Sequence, residues 1–543
     1  MDGWADHLIA APILIPLFAA GFMLLLRESR QSAKRAIGLA ATLLLLLVSL
    51  LLLRNLVADG AGGAPATRSY LIGDWPSPFG IVLVADWLSV LMLTLTAILA
   101  LASLIYATAR WDAAGPRFHA LFLLQLVGLN GAFLTGDLFN LFVFFEVLLA
   151  ASYGLLLHGS GAVRVTAGLH YVSINVATSL LFLIGAALIY GVAGTLNMAD
   201  LATRIPAIIG SDLALFQAGM SILGIAFLVK AGMWPLGFWL PSTYSAATPP
   251  AAALFAILSK VGVYAVLRVF LLLFGTEASP LPNFGEEWLL YGGMATIAFG
   301  IIGLLASRTL ARIAGFSVIM SSGTLLAALG SGEGAVLGAV LFYLVSSTLA
   351  LSAFYLLVEL VQREETGPTP SAVTDPVFDD EETEAFDAGE EGEVGIVIPA
   401  TIALLGGGFA FCSLLLAGMP PLSGFVAKFA LIDGLLALDE EIALSTWTLI
   451  ALIILSGLAT LIATTRAGID LIWEPSGKPH PVLRLSEVIP VGLLLAICLA
   501  LMVFAGPVMA YMERTGQSLE DRDGYIRSVT GADRVHRPGP EAR

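Results

Sequence analysis

The strongest constraint on this chain is a series of apolar runs about 17–25 residues long, the length that crosses a bilayer as an α-helix. The chain has 543 residues, of which 58% are hydrophobic and only 12% charged, and its mean hydropathy is +0.91. Backbone groups inside a membrane must bond within a helix or a closed barrel, because no water is there to satisfy them. Runs of this length indicate an all-α polytopic membrane protein.

Fourteen such runs are bounded by charged or turn residues. The predicted spans cover residues 8–26, 36–57, 84–107, 118–135, 138–158, 167–191, 213–240, 249–274, 288–306, 310–330, 335–360, 396–436, 443–465 and 487–511. Proline interrupts the seventh and the twelfth. We therefore predict about 14 transmembrane helices, two of them broken (7 and 12).

Four charged residues lie inside these runs, where a charge is costly. Glu146 lies within the apolar stretch 137–157, and Lys230, Lys260 and Lys428 lie within three other stretches. On insertion scales each charge at mid-membrane costs about 2.5–3.5 kcal/mol, so a chain that only had to fold would carry leucine there. The four residues therefore predict an ion pathway.

The alternative for each charge is a structural ion pair or a side chain that snorkels to the membrane surface. Snorkelling suits a long side chain near a span end, such as Arg268. Glu146 lies near mid-span and is too short to escape. It shares a helix face with Ala150 and Tyr153, a strip suited to a helix interface. We therefore favour a functional role.

A buried carboxyl and a buried amine can move a proton without redox chemistry. Burial favours the neutral form of each group, whereas contact between the two favours the charged forms. A Glu–Lys pair that alternately meets and separates would load and release a proton on the lysine. Lys230 also lies near the C-terminal end of a half-helix, whose exposed carbonyls favour a cation.

Both broken spans carry their prolines close to a membrane lysine. Pro235, Pro420 and Pro421 lack the N–H that a helix needs, so each frees a carbonyl one turn earlier. Freed backbone is tolerated at membrane depth only where protein or a wet cavity surrounds it. One break could be a kinked packing helix. However, AGMWPLGF (231–238) resembles AGMPPLSGF (417–425), and paired broken helices indicate an internal repeat with a transport site at its interface.

Two weaker candidates lie nearby. His170, early in the sixth span, could extend a proton wire, although an interfacial histidine is the simpler interpretation. For Asp137 we favour the role of a carboxylate at the start of the fifth helix, and the entrance of the ion pathway is the alternative. We expect no metal or cofactor, because the histidines lack ligand spacing and Cys412 and Cys498 lie in apolar segments as small hydrophobes.

The net charge of −15 is concentrated in one segment. Residues 363–394 hold twelve acidic residues against one arginine, which leaves −4 for the rest of the chain. The sequence shows no basic stripe or phosphate-binding glycine loop, so nothing indicates nucleic-acid binding. We interpret the segment as a solvated linker, with cation sensing or subunit docking as the alternative.

The loop charges predict an orientation. With the N-terminus outside, thirteen basic residues fall in cytoplasmic loops, against four in the opposite loops and six after Met512. This asymmetry predicts an even number of spans with both termini outside, and it places the acidic loop 363–394 in the cytoplasm.

The segments that carry these charges resemble a known family. They are LTGDLFNLFVFFEVLLAASYGLLLHGSG, FLVKAGMWPLGFWLPSTYSAATPPAAALFAILSKVGVYAVLR and LAGMPPLSGFVAKF. They resemble the D subunit of the Mrp-type multisubunit Na⁺(monovalent cation)/H⁺ antiporters, a relative of the antiporter-like subunits of respiratory complex I. The likeness covers most of residues 1–510 and implies partner subunits.

The resemblance also implies two inverted five-helix repeats over spans 4–8 and 9–13. The predicted regions are then 1–110 (helices 1–3), 111–275 (first repeat), 285–470 (second repeat, with the acidic loop), 485–512 (helix 14) and 513–543 (polar tail).

The resemblance assigns roles by motif. Glu146 matches the fifth-helix glutamate, Lys230 the lysine of the broken seventh helix, Lys260 a bridging lysine and Lys428 the twelfth-helix lysine of the second half-channel. Relatives often carry FYLVHST where this chain has FYLVSST, so Ser346 replaces a histidine expected on the eleventh helix. Water or the hydroxyls of Ser346 and Ser347 would then carry the proton through that part of the path. The loop 308–316 lacks the charged Asp-Leu-Lys pattern of the complex I relatives, and the acidic insertion is peculiar to this chain.

The sequence thus predicts a cell-membrane subunit of a monovalent cation/proton antiporter, a transporter rather than an enzyme, which provides a proton path through its buried Glu and Lys residues. One alternative is a proton-pumping subunit of complex I or of a membrane-bound hydrogenase; the D-subunit motifs and the short polar tail argue against it. The other is a scaffold without transport, which would gain nothing from buried charges.

Overall fold

The computed structural model describes residues 7–61, 67–275, 280–332, 334–363, 400–438, 442–469 and 483–532. Most of the acidic loop therefore lies outside the described residues. Within them the chain forms nineteen α-helices and one β-hairpin.

The first half of the chain runs through a hairpin and ten helices. These are α1 (Ala11–Leu25), α2 (Gln31–Ala61), β1 (Thr67–Leu71), β2 (Val82–Asp86), α3 (Trp87–Ala107), α4 (Phe118–Leu134), α5 (Leu138–Leu156), α6 (Ala162–Ala193), α7 (Met198–Arg204), α8 (Ser211–Ala231), α9 (Trp239–Ala246) and α10 (Pro249–Phe274).

The second half holds nine helices. These are α11 (Glu286–Ala306), α12 (Leu310–Leu329), α13 (Ala335–Gln362), α14 (Ala400–Ala417), α15 (Ser423–Leu436), α16 (Leu444–Gly468), α17 (Leu485–Val503), α18 (Ala505–Glu520) and α19 (Arg522–Thr530).

Each of the fourteen predicted spans contains a helix in the described part of the chain. Eleven helices are long and apolar enough to cross a membrane, namely α2, α3, α5, α6, α8, α10, α11, α12, α13, α16 and α17. Shorter apolar helices lie in the first, fourth and twelfth predicted spans. The prediction of an all-α polytopic membrane protein is confirmed, and the count of fourteen crossings stays a prediction.

The hairpin is a feature that the sequence pattern concealed. All five residues of β2 are buried, so their apolar run merges with the span that follows. The helix α3 nevertheless begins only at Trp87, because the Asp86 carboxylate accepts the Ser89 N–H at 2.9 Å and the Asp86 N–H donates to Ser89 Oγ at 2.8 Å. This reciprocal capping box fixes the boundary between strand and helix.

The C-terminal region also differs from its prediction. The last predicted span ends early, at Val503, and a second helix, α18, follows immediately. The buried face of α18 holds Met512, Thr515, Gly516 and Leu519, a helical spacing that leaves its other face polar. The helix therefore lies along α13, and α19 then contacts β1 and α7. Part of the predicted polar tail is thus helical and docked.

The two broken helices end in the same way. Gly232 and Gly418 have φ of +79° and +77°, the left-handed conformation that glycine adopts at helix C-termini. The following residue, Met233 or Met419, donates its N–H to the carbonyl five residues earlier, at 3.0 Å in both cases. The half-helices α8 and α14 therefore share one terminal hydrogen-bond pattern, which agrees with the likeness of the two sequence motifs.

The helices on either side of these breaks pack in corresponding pairs. The pair α4 and α5 corresponds to the pair α11 and α12, and both pairs are in close contact. The helix α6 contacts both α8 and α9, as α13 contacts both α14 and α15. This correspondence supports the predicted pair of five-helix repeats, which stays a prediction.

One interpretation from the sequence is wrong. Arg268 does not snorkel to the membrane surface; it is 6% exposed and forms two ion-pair contacts with Asp86, at 2.5 and 2.8 Å. Its guanidinium also lies over the rings of Tyr264 and Tyr525. The pair joins the start of α3 to the end of α10, and Tyr525 attaches the C-terminal helix α19 to it. Its position near a span end suggests snorkelling, but Asp86 at the end of the hairpin and Tyr525 of α19 cover the side chain.

We predict that Arg268→Leu destabilises the fold by about 3–5 kcal/mol, because it leaves the buried Asp86 carboxylate without a positively charged partner. Thermal unfolding of the purified protein in detergent measures the effect. Arg54→Leu, at an exposed arginine of α2, is the control. The double variant Arg268→Leu/Asp86→Leu should recover part of the loss, and a single variant that unfolds at the normal temperature would contradict this assignment.

Candidate functional site

The four predicted charges lie on four different helices, of which α8 and α10 pack against each other. Glu146 is in the middle of α5, Lys230 in the last turn of α8, Lys260 in the middle of α10 and Lys428 in α15. Lys260 is fully buried, and the other three are half-buried.

Glu146 and Lys230 both bond to the helix α6, one turn apart. The Lys230 Nζ donates to Asn175 Oδ1 at 2.8 Å, and the Ser179 hydroxyl donates to the Glu146 carboxylate. Each charge thus has a neutral hydrogen-bonding partner, and the two partners are separated by about one helix pitch, or about 5.4 Å.

A small cavity lies beside Lys230 on the side of α10. It is lined by Phe145, Leu148, Leu149, Tyr171, Asn175, Lys230, Trp239, Leu258 and Val261. It offers about 10 Å³ of room for water centres, and one water needs about 10–15 Å³ on that measure. Leu258 and Val261 flank Lys260 on α10, so this largely apolar cavity separates Lys230 from the central lysine.

Lys260 lies at the centre of the molecule. Every residue of α10 from Pro250 to Phe274 is buried. The Lys260 Nζ donates to two hydroxyls of α12, Ser321 Oγ at 2.9 Å and Ser322 Oγ at 3.3 Å. The predicted bridging lysine therefore turns away from the first repeat and bonds to the second.

Lys428 bonds directly to the second helix break. Its Nζ donates to the carbonyl of Ala417 at 3.1 Å, the last residue of α14, and to Ser456 Oγ at 3.3 Å. A carbonyl at a helix C-terminus attracts a cation. Gly457 makes the contact possible, because a Cβ there would lie 2.5 Å from the Ala417 oxygen.

A hydroxyl-lined cavity lies between the partners of Lys260 and Lys428. Its polar lining consists of Ser317, Ser321, Tyr343, Ser346, Ser347, Lys428, Ser456 and Thr460. It offers about 30 Å³ of room for water centres, which by the same measure holds about two waters. The cavity beside Lys428 is therefore larger and more polar than the cavity beside Lys230.

The weaker candidates have different positions. The Asp137 carboxylate accepts the Asn140 N–H at 2.9 Å as the N-cap of α5, which confirms its helix-terminal role. Ser346 lines the hydroxyl cavity and donates to Ser423 Oγ at 3.0 Å. His170 is exposed at the surface of α6 and is not brought to the site.

Sequence reasoning missed the partners of the four charges. Asn175 and Ser179 lie one turn apart in an apolar span, a spacing that could have indicated them. Ser321 and Ser456 carry no such signal, because a helical serine can bond to its own backbone, as Ser456 Oγ does to the carbonyl of Ile453.

The charged groups of the site bond to neutral polar groups. In the ranges that the structure describes, no group of histidine, cysteine, aspartate and glutamate side chains is placed to hold a metal ion. Cys412 and Cys498 are buried free thiols. The ionisable groups instead bond to amide, hydroxyl and carbonyl groups. These partners are neutral, so they do not hold the ionisable groups in their charged forms.

The sequence of this chain is similar to those of known membrane proteins. Residues 135–458 match the transmembrane family described as NADH:quinone oxidoreductase/Mrp antiporter. The chain is 54% identical to the D subunit of a probable K⁺/H⁺ antiporter of Rhizobium meliloti (strain 1021), over 98% of each chain. It is 33% identical to the D subunit of the Na⁺/H⁺ antiporter of Alkalihalophilus pseudofirmus, over 96% of this chain and 99% of the relative.

The fold is similar to a solved one as well. A chain of the Mrp complex from Dietzia sp. DQ12-45-1b superposes with a TM-score of 0.78 at 24% identity, covering 98% of this chain and 100% of that chain. The matching family region contains all four buried charges and both helix breaks. The resemblance inferred from the motifs is confirmed, and the chain belongs to the NADH:quinone oxidoreductase/Mrp antiporter transmembrane family.

Proposed function

We propose that this chain is a membrane subunit of a multisubunit monovalent cation/proton antiporter and that it provides the proton path. The observation that carries the proposal is the set of four ionisable groups inside the bundle, Glu146, Lys230, Lys260 and Lys428. They bond to neutral polar groups beside two cavities. A transporter subunit, rather than an enzyme, fits such a site.

The transported cation is sodium or potassium. The Rhizobium relative is named for K⁺/H⁺ exchange and the Alkalihalophilus relative for Na⁺/H⁺ exchange. Both relatives are named as subunits, so the chain works with partner subunits in the cell membrane.

Glu146 and Lys230 form the switching pair of this path. Each is held on α6 by its own neutral partner, Ser179 or Asn175. When the carboxylate approaches the lysine, it stabilises the ammonium; when it withdraws to Ser179, the amine can release the proton. The proton then passes through the cavity beside Lys230 to Lys260 and into the second repeat.

The alternative is a proton-pumping subunit of a redox complex, since the family description includes NADH:quinone oxidoreductase. The same path would then be driven by electron transfer. The antiporter relatives at 54% and 33% identity favour the antiporter. Cation-driven proton movement in vesicles that receive no electron donor decides between the two.

The proposed orientation has both termini outside and the acidic loop 363–394 in the cytoplasm. The supporting observation is the excess of basic residues in the loops on the side of Arg110, Arg164 and Arg363. The docked helix α19 then lies on the outer face with β1 and α7.

We predict that Glu146→Gln and Lys230→Ala each abolish proton exchange while the complex still assembles. Glu146→Asp should retain partial activity, because the charge remains with one methylene less reach. Lys230→Arg should fail despite its charge, because a guanidinium does not deprotonate at accessible pH. The measurement is proton movement driven by Na⁺ or K⁺ in everted vesicles that carry the whole complex.

Glu28→Gln is the charge-matched control, since Glu28 is an exposed carboxylate paired with Lys34 outside the spans. Immunodetection of the assembled complex accompanies every variant. Normal exchange by Lys230→Arg would make this lysine an electrostatic fixture and would remove it from the proton path.

We predict that a cysteine introduced at Thr530 reacts with a membrane-impermeant thiol reagent in intact cells, whereas one at Ser371 reacts only after permeabilisation. Thr530 is exposed on α19, and the native cysteines are buried and give little background. The reverse pattern would overturn the orientation, and labelling at both positions in intact cells would mean an even number of crossings between them instead of the predicted three.

A further inference from the structure

Two successive hydrogen bonds to serine hydroxyls lead from Lys260 towards the cavity that Lys428 lines, and both donate in the same direction. The Lys260 Nζ donates to Ser321 Oγ at 2.9 Å, and Ser321 Oγ donates in turn to Ser347 Oγ at 2.9 Å. Both bonds are within the normal range for their type, and both donate from α10 towards α13.

Ser347 stands at the edge of the hydroxyl-lined cavity. Its own hydroxyl bonds only weakly, to the Leu344 carbonyl at 3.3 Å, so little holds it from turning into the cavity. Lys428 and Ser456 line the same cavity, which has room for about two waters. A short gap with room for water therefore separates the last hydroxyl from the lysine.

The neighbouring serine has a different bond. Ser346 is 1% exposed, and its hydroxyl donates to Ser423 Oγ at 3.0 Å, at the start of α15. This bond ties α13 to the second half of the broken helix. Ser346 occupies the position where the resemblance expects a histidine. Its hydroxyl, however, is not part of the series of hydrogen bonds that starts at Lys260.

We propose that Ser321 and Ser347 form a hydroxyl relay that carries the proton from Lys260 to the cavity facing Lys428, and that Ser346 is a tether beside this path. The relay rests on the proposed function as a proton path and assigns two residues to it. Ser347 lies in the FYLVSST segment that the resemblance singles out, whereas Ser321 has no charge or motif that marks it in the sequence.

The transfer balances as a chain of proton hops. The Lys260 ammonium gives a proton to Ser321 Oγ as the hydroxyl proton of Ser321 moves to Ser347 Oγ. Ser347 passes its own hydroxyl proton to a cavity water, and the water protonates the neutral Lys428 amine. One N–H bond breaks at Lys260 and one forms at Lys428, and each hydroxyl keeps one proton and resets by rotation.

Threonine and valine have nearly the same shape, so this pair of substitutions isolates the hydroxyl. Ser321→Val and Ser347→Val should lower cation-driven proton movement in everted vesicles of the whole complex by about tenfold or more, a small general acid–base effect. Ser321→Thr and Ser347→Thr should restore most of the rate. A rescue by threonine excludes a purely structural role, since valine fills the same space.

Thr348→Val is the matched control. Thr348 is buried beside Ser347, but its hydroxyl bonds to the Leu344 carbonyl of its own helix and does not line the cavity. It should exchange protons normally. Ser346→Val should keep most of the rate as well, and a loss there greater than in Ser347→Val would overturn the relay.

Two further results separate the relay from the wider proposal. Normal rates in Ser321→Val and Ser347→Val, with Lys260→Ala and Lys428→Ala inactive, would overturn the relay and leave the proton path intact. Normal rates in the lysine variants would overturn the proposed function itself. If Ser347→Val raised the cation concentration for half-maximal exchange at an unchanged maximal rate, the cavity would be a cation site and the relay would be wrong.

Discussion

Every ionisable group inside this bundle needs a partner, because an isolated charge in a low-dielectric interior is very costly. On the proposed path the direct partners are an amide, several hydroxyls and a helix-terminal carbonyl, none of which carries a charge. A tight ion pair would hold both groups in their charged forms. Neutral partners satisfy the ammonium and still allow its proton to leave.

The Asp86–Arg268 pair has the opposite design. It is buried, bidentate and covered by two tyrosine rings, and arginine keeps its proton at accessible pH. Such a pair cannot carry protons, but it can fix the ends of α3 and α10 and the C-terminal helix α19. The molecule thus contains a buried ion pair that stabilises the fold and buried charges that lie on the proposed proton path. The two kinds differ in whether the bonding partner is charged or neutral.

Much of this arrangement could be predicted from the sequence, because the features are local. The length of the apolar runs predicts the helices, and a charge such as Glu146 is easily recognised within such a run. The missed features depend on tertiary contacts. The strand β2 resembles the start of a helix until its pairing with β1 is known, and Arg268 resembles a snorkelling residue until Asp86 is placed beside it. Hydroxyl partners such as Ser321 are indistinguishable from serines that bond to their own helix.

The two repeats differ in what lies between the lysines, and this difference has a mechanical consequence for the proposed path. The cavity beside Lys230 is small and mostly apolar, and Leu258 and Val261, which flank Lys260 along α10, line it. Beyond Lys260 a hydroxyl already accepts its proton, and a larger polar cavity follows. On the proposed path, transfer in the predicted first repeat therefore requires side chains to move or water to enter an apolar space, whereas the predicted second repeat needs only hydroxyl rotations and water in an already polar cavity. The Glu146–Lys230 pair stands at the restricted step, where a change of its charge can control the flow of protons.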